Sequence, residues 1–131
     1  MKNETILKEL VIKEGEVNEK LLLEILKPYI RIEEGTGDLI PTEKFSELSN
    51  EKKVIIGFLY SKAKTRLGFS QSEKLKPREL ESLLGMKGNT LRPILKRLKD
   101  NRVIRVDKEG YWLPNIYLTK AKELLGGEGN E

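Results

Sequence analysis

The run Asn89–Asn101 (NTLRPILKRLKDN) constrains this chain more than any other segment. Leu91, Ile94, Leu95 and Leu98 recur at three- and four-residue spacing, and every other position is polar or proline. Each residue of an α-helix advances by about 100°, so these four side chains share one arc and predict a helix with a single core-facing side. Opposite that arc lie Asn89, Pro93, Lys96 and Asp100. Arg92 and Lys99 flank that line on one side and Arg97 on the other. Asn89 is expected to cap the helix, which places Pro93 near the fourth helical position, where its missing N–H costs one intrahelical bond or none.

The neighbouring segments are punctuated just as clearly. Pro77 suits the first position of a short helix (PRELESLLG) with Leu80, Leu83 and Leu84 inward. Gly85-Met86-Lys87-Gly88 reads as a compact turn into the next helix. After it, Val103–Val106, Asp107–Gly110 and Tyr111–Leu113 read as strand, turn, strand. Trp112 is expected in the core, because large aromatic rings usually bury. Residues 115–125 (NIYLTKAKELL) form a last amphipathic helix, with residues 126–131 as a flexible tail.

Upstream, Ser49 caps an expected helix over residues 50–67, with Val54, Ile55, Phe58, Leu59 and Leu67 as its apolar stripe. Gly68 ends it, and a polar connection follows with a short strand near Leu75. Residues 3–14 form a helix between Asn3 as cap and Gly15 as stop, carrying Ile6, Leu7, Leu10 and Val11. Residues 17–27 form a second, with Val17, Leu21, Leu22, Ile25 and Leu26, ended by Pro28. Tyr29 to Ile40 alternates around Gly35-Thr36-Gly37 and predicts a hairpin, with Pro41 at its edge or end.

Charge is unevenly spread. Residues 1–50 hold seven Lys+Arg against eleven Asp+Glu, net −4, while residues 51–99 hold thirteen against four, net +9. Residues 100–131 return to −1. A basic block of that density has the form of a nucleic-acid footprint, though a solvated lysine-rich face has it too.

The segment LKPRELESLLGMKGNTLRPILKRLKDNRVIRVDKEGYWL resembles the winged helix-turn-helix family of DNA-binding domains. The resemblance covers about residues 50–125 and extends to small archaeal proteins of that superfamily when residues 29–48 are included. It implies an α+β fold: a winged helix-turn-helix domain over 49–125 behind an acidic extension over 1–48, made of two helices and a hairpin. It further implies a transcription regulator, in many members a homodimer, that places the helix from Asn89 in the major groove of double-stranded DNA. Asn89, Arg92, Pro93 and Lys96 then face base edges. Asn pairs bidentately with adenine, Arg or Lys with guanine, and Pro93 can meet a thymine methyl. Lys87, Thr90, Arg97, Lys99, Arg105 and Lys108 are placed for phosphates, with helix-start N–H groups around Thr90 assisting. Pro93 displaces the polar side chain that often reads a base, and the wing tip Asp107-Lys108-Glu109 is mixed in charge. Those departures keep a second reading open: a winged-helix module that joins proteins in a larger complex, docking through its acidic extension.

Other functions are excluded or weak. The chain has no His and no Cys, so imidazole bases, thiolate nucleophiles, disulfides and most zinc sites are ruled out, and no catalytic constellation, metal site or cofactor is expected. Gly85–Thr90 lacks the spacing of a phosphate loop. Glu33, Glu34 and Asp38 lack that of a calcium loop. Glu79 and Glu81 fall on different faces of their helix. Met1-Lys2-Asn3-Glu4 opens no apolar leader, and no run approaches the roughly 20 apolar residues of a membrane span, so a cytoplasmic location is expected. Charged residues reach 35% against about 25% in ordinary domains, and Lys/Glu richness without Cys has a thermophile's character.

Overall fold

The computed structural model describes residues 6–11 and 17–129. Ile6–Leu10 form a single 3-10 turn rather than the α-helix expected there. Asn3 and Gly15, its expected cap and stop, lie outside the described residues. Six α-helices and two antiparallel two-stranded sheets follow among the described residues. Helix α1 spans Glu19–Leu26, and the Asn18 carboxamide oxygen accepts from the Leu21 N–H at 3.0 Å. Strands β1 (Ile30–Ile32) and β2 (Leu39–Pro41) pair with Arg31 opposite Ile40. At the hairpin tip Glu33 accepts from the Thr36 N–H at 2.6 Å and the Thr36 hydroxyl at 3.0 Å. Those bonds hold the Glu33 carboxyl below its ordinary pKa, so this carboxylate serves the turn. The Tyr60 hydroxyl donates to the Gly37 carbonyl at 2.5 Å and ties the hairpin to the centre of the fold.

A short α2 (Glu43–Ser46) leads to α3 (Asn50–Arg66), capped by Ser49. Helix α3 is not amphipathic as expected. Every residue from Val54 to Lys62 is buried, because α1, α4, α5 and α6 pack around it. Leu67, expected on its stripe, is 62% exposed. Lys62, 2% exposed, donates to Glu73 at 2.8 Å and Asn115 at 2.5 Å. A buried ammonium needs such partners, since desolvation alone disfavours it by several kcal/mol, of order.

Helix α4 (Pro77–Leu84) begins at Pro77, and the Glu79 carboxylate reaches back to the Lys76 N–H at 2.7 Å. Gly85 ends it in the left-handed conformation, φ 66°. Helix α5 (Gly88–Asp100) follows, then β3 (Arg105–Asp107) and β4 (Gly110–Trp112). Leu75 bonds both ways with Tyr111, at 2.8 and 2.9 Å, where a short strand was expected. Gly110, at φ 139°, makes this possible: a Cβ there would lie 2.8 Å from the Leu75 carbonyl oxygen. A 3-10 turn (Asn115–Tyr117) opens into α6 (Leu118–Gly129), so helix continues where a tail was expected.

One core holds the chain together. Leu22, Ile25, Leu26 and Ile30 from the acidic part join Phe58, Leu59, Leu80, Leu95, Leu98 and Leu113 in a single cluster. No helix among the described residues is long and apolar enough to cross a membrane.

Candidate nucleic-acid interface

Helix α5 presents the two faces its spacing predicts. Leu91, Ile94, Leu95 and Leu98 are buried, and Asn89, Thr90, Arg92, Pro93, Lys96, Arg97, Lys99 and Asp100 are exposed. The helix starts earlier than expected, however. Its cap is Lys87, not Asn89, and no side chain bonds the first turn. Asn89 is thus the second helical residue and Pro93 the sixth. At that depth Pro93 removes one intrahelical bond, the one the Asn89 carbonyl would accept. The Thr90 N–H already donates to the Lys87 carbonyl at 3.0 Å, so the first-turn donors are those of Gly88 and Asn89, while Thr90 offers its hydroxyl.

The exposed basic side chains differ in how they are held. Lys96 pairs with Asp100 at 2.9 Å one turn on, both well exposed. Such a pair is weak and exchanges readily for a phosphate. Arg97 points to α3, where its Nη2 and Nε both lie 2.9 Å from Glu51 Oε1. Lys87 is exposed at the helix cap, and Arg92 Nη1 lies close to Gly88 alongside Glu81. Arg105 is half-buried on β3 with its guanidinium over the Tyr117 ring, and Lys108 is exposed at the tip of the hairpin.

Two basic residues of this surface were missed in the sequence. Lys74 donates to Asp107 at 2.6 Å, reaches Glu109 at 3.5 Å, and sits 4.4 Å from the centre of the Trp112 ring. Hydrogen bonding to Asp107 raises the Lys74 pKa and lowers that of Asp107, which also accepts the Glu109 N–H at 2.8 Å. Lys74 thereby offsets the carboxylates of the tip. Arg102 follows the end of α5 at φ 61°, the one positive φ outside glycine among the described residues. Its N–H donates to the Lys99 carbonyl at 3.0 Å and closes the helix. A basic residue just past a helix end was the available signal for Arg102; for Lys74 there was none locally.

Trp112 corrects another expectation. It is half-buried and lines a groove, whereas Tyr111 packs against the core and Leu113 is fully buried. Both rings are half-buried, and only the Tyr111 backbone pairs with Leu75.

No family model, curated protein or solved structure matches the chain. Among the described residues no cluster of acidic groups is arranged to hold a metal ion.

Proposed function

We propose that residues 49–125 form a winged helix-turn-helix unit that binds double-stranded DNA, and that the protein is a cytoplasmic transcription regulator. Helix α5 lies in the major groove in this reading, with Asn89, Arg92, Pro93 and Lys96 toward base edges. Lys87, Thr90, Lys99, Arg102, Arg105 and Lys108 serve the phosphate backbone. The observation that carries the proposal is the exposed face of α5, which carries Arg92, Lys96, Arg97 and Lys99 and is followed by a two-stranded hairpin whose acidic tip Lys74 offsets. Replacing both Arg92 and Lys96 with Ala should reduce affinity for duplex DNA at least tenfold, roughly the loss of one or two good contacts, with the melting temperature unchanged. Unaltered affinity in that double variant removes α5 from the interface.

The second reading, a module that joins other proteins, draws on different residues. Ile6, Leu10 and Val11 stand 79%, 78% and 67% exposed at the acidic end of the chain. Contiguous exposed apolar side chains mark association surfaces. They fit a homodimer as well as a foreign partner, and a second copy of this chain is the occupant proposed.

A further inference from the structure

A groove of about 560 Å³ runs beside the face of α5, walled by Lys99, Arg102, Arg105, Trp112, Tyr117 and the aliphatic Ile104 and Val106. Among the described residues no carboxylate lines it. Arg102 enters it from a left-handed backbone position, one that glycine normally fills after a helix end. Glycine would close the helix with less strain, so what arginine adds is a guanidinium at the groove. Neither Lys99 nor Arg102 has a carboxylate partner among the described residues. Both line the groove, and two cations lining one groove attract an anion into it. Trp112 supplies a different chemistry. Its indole is half-buried and forms part of the wall, directly across the hairpin from Arg105. Cations beside an aromatic wall are the combination that holds a nucleotide, the phosphate on the cations and the base on the ring.

We propose that this groove takes one nucleotide of an unpaired strand, with its phosphate on Lys99 and Arg102 and its base against Trp112. The inference rests on the nucleic-acid reading of α5 and deepens it. Lys99 belongs to both surfaces, so a duplex on α5 that opens into a single strand passes the groove. The protein then prefers duplex with a single-stranded extension over blunt duplex of equal length.

Trp112 is the chain's single tryptophan, so its emission reports on the groove in the intact protein. The probes are an eight-residue oligothymidylate, thymidine monophosphate and a blunt duplex. The oligomer should quench Trp112 saturably, and Lys99→Ala or Arg102→Gly should weaken it about tenfold, the size of one lost stacking or charge contact. Arg102→Gly should hold or raise the melting temperature, because glycine suits the backbone there. A lower melting temperature with unchanged oligomer affinity gives Arg102 a structural role and overturns the assignment. Thymidine monophosphate that quenches as tightly as the oligomer makes this a free-nucleotide site and overturns the strand reading. If blunt duplex binds by anisotropy while the oligomer leaves Trp112 emission unchanged, the groove inference fails and the duplex reading stands. Quenching by the oligomer without any duplex binding leaves the groove site standing and sinks the duplex reading.

Discussion

Arg97 and Glu51 join the exposed helix to the central one: the Nε and Nη2 of Arg97 both lie 2.9 Å from the same carboxylate oxygen of Glu51. The arginine expected on a phosphate is therefore held by the protein itself. Both groups are substantially exposed, so the pair contributes less than about 1 kcal/mol to stability. Glu51 also sits in the first turn of α3, where a negative charge is favourable by about 0.3–1 kcal/mol.

Glu51→Gln should release Arg97 toward DNA and raise duplex affinity a few-fold, the gain from about one more neutralised phosphate. The melting temperature should fall only slightly. Fluorescence anisotropy at fixed salt checks the affinity. A weaker complex would show that the pair orients Arg97 for DNA rather than withholding it.

The two faces of α5 should respond differently to truncation. Leu95 is 2% exposed, so Leu95→Ala should cost about 2–5 kcal/mol, the transfer loss plus a cavity. Lys96→Ala touches no core atom and should stay within about 0.5 kcal/mol. Denaturant melts of the two variants decide this, and the opposite ranking would reverse the face assignment.

How far the fold was legible follows from the range of the forces involved. The burial of Leu91, Ile94, Leu95 and Leu98 is local periodicity, and so is the hairpin around Gly35-Thr36-Gly37. The character of α3 was not, because Lys62 looks like a surface residue until Glu73 and Asn115 reach it across 11 and 53 positions of sequence. Asn89 is the better cap by residue type, yet α5 begins at Gly88 after a cap with no side-chain bond. The third strand beside β4 comes from the Leu75–Tyr111 bridge, a pairing across 36 residues in the chain order. Arg102's positive φ has no counterpart in its identity, and with it the groove stayed invisible.

The tip of the β3–β4 hairpin gives a pH prediction. Lys74 and the Glu109 N–H hold the Asp107 carboxyl below its ordinary pKa. A depressed pKa means that this interaction is fully present above the ordinary aspartate range and is lost as pH falls through the folded value. Carboxyl titration by NMR should find Asp107 below the ordinary aspartate value. Lys74→Ala should move it upward, and an unmoved Asp107 would break the link between the two.

Self-association is expected through the exposed start of the chain. Leu22, Ile25 and Leu26 lie in the core, so removing residues 1–28 would unfold the protein. Removing residues 1–11 takes Ile6, Leu10 and Val11 and leaves that core intact. Light scattering should find a dimer for the full chain, its two patches related by a twofold axis, and a monomer after the shorter deletion. A monomeric full chain, or a truncated chain that still dimerises, places the interface elsewhere.

The central claim, that the α5 face and the β3–β4 hairpin bind duplex DNA through its phosphates, is tested most directly by the salt dependence of affinity for a random-sequence duplex. Neutralising about five phosphates predicts that log K falls against log salt with a slope of about −4 to −5. A slope near zero, or no complex even at low salt, would contradict the account and favour a module that binds proteins.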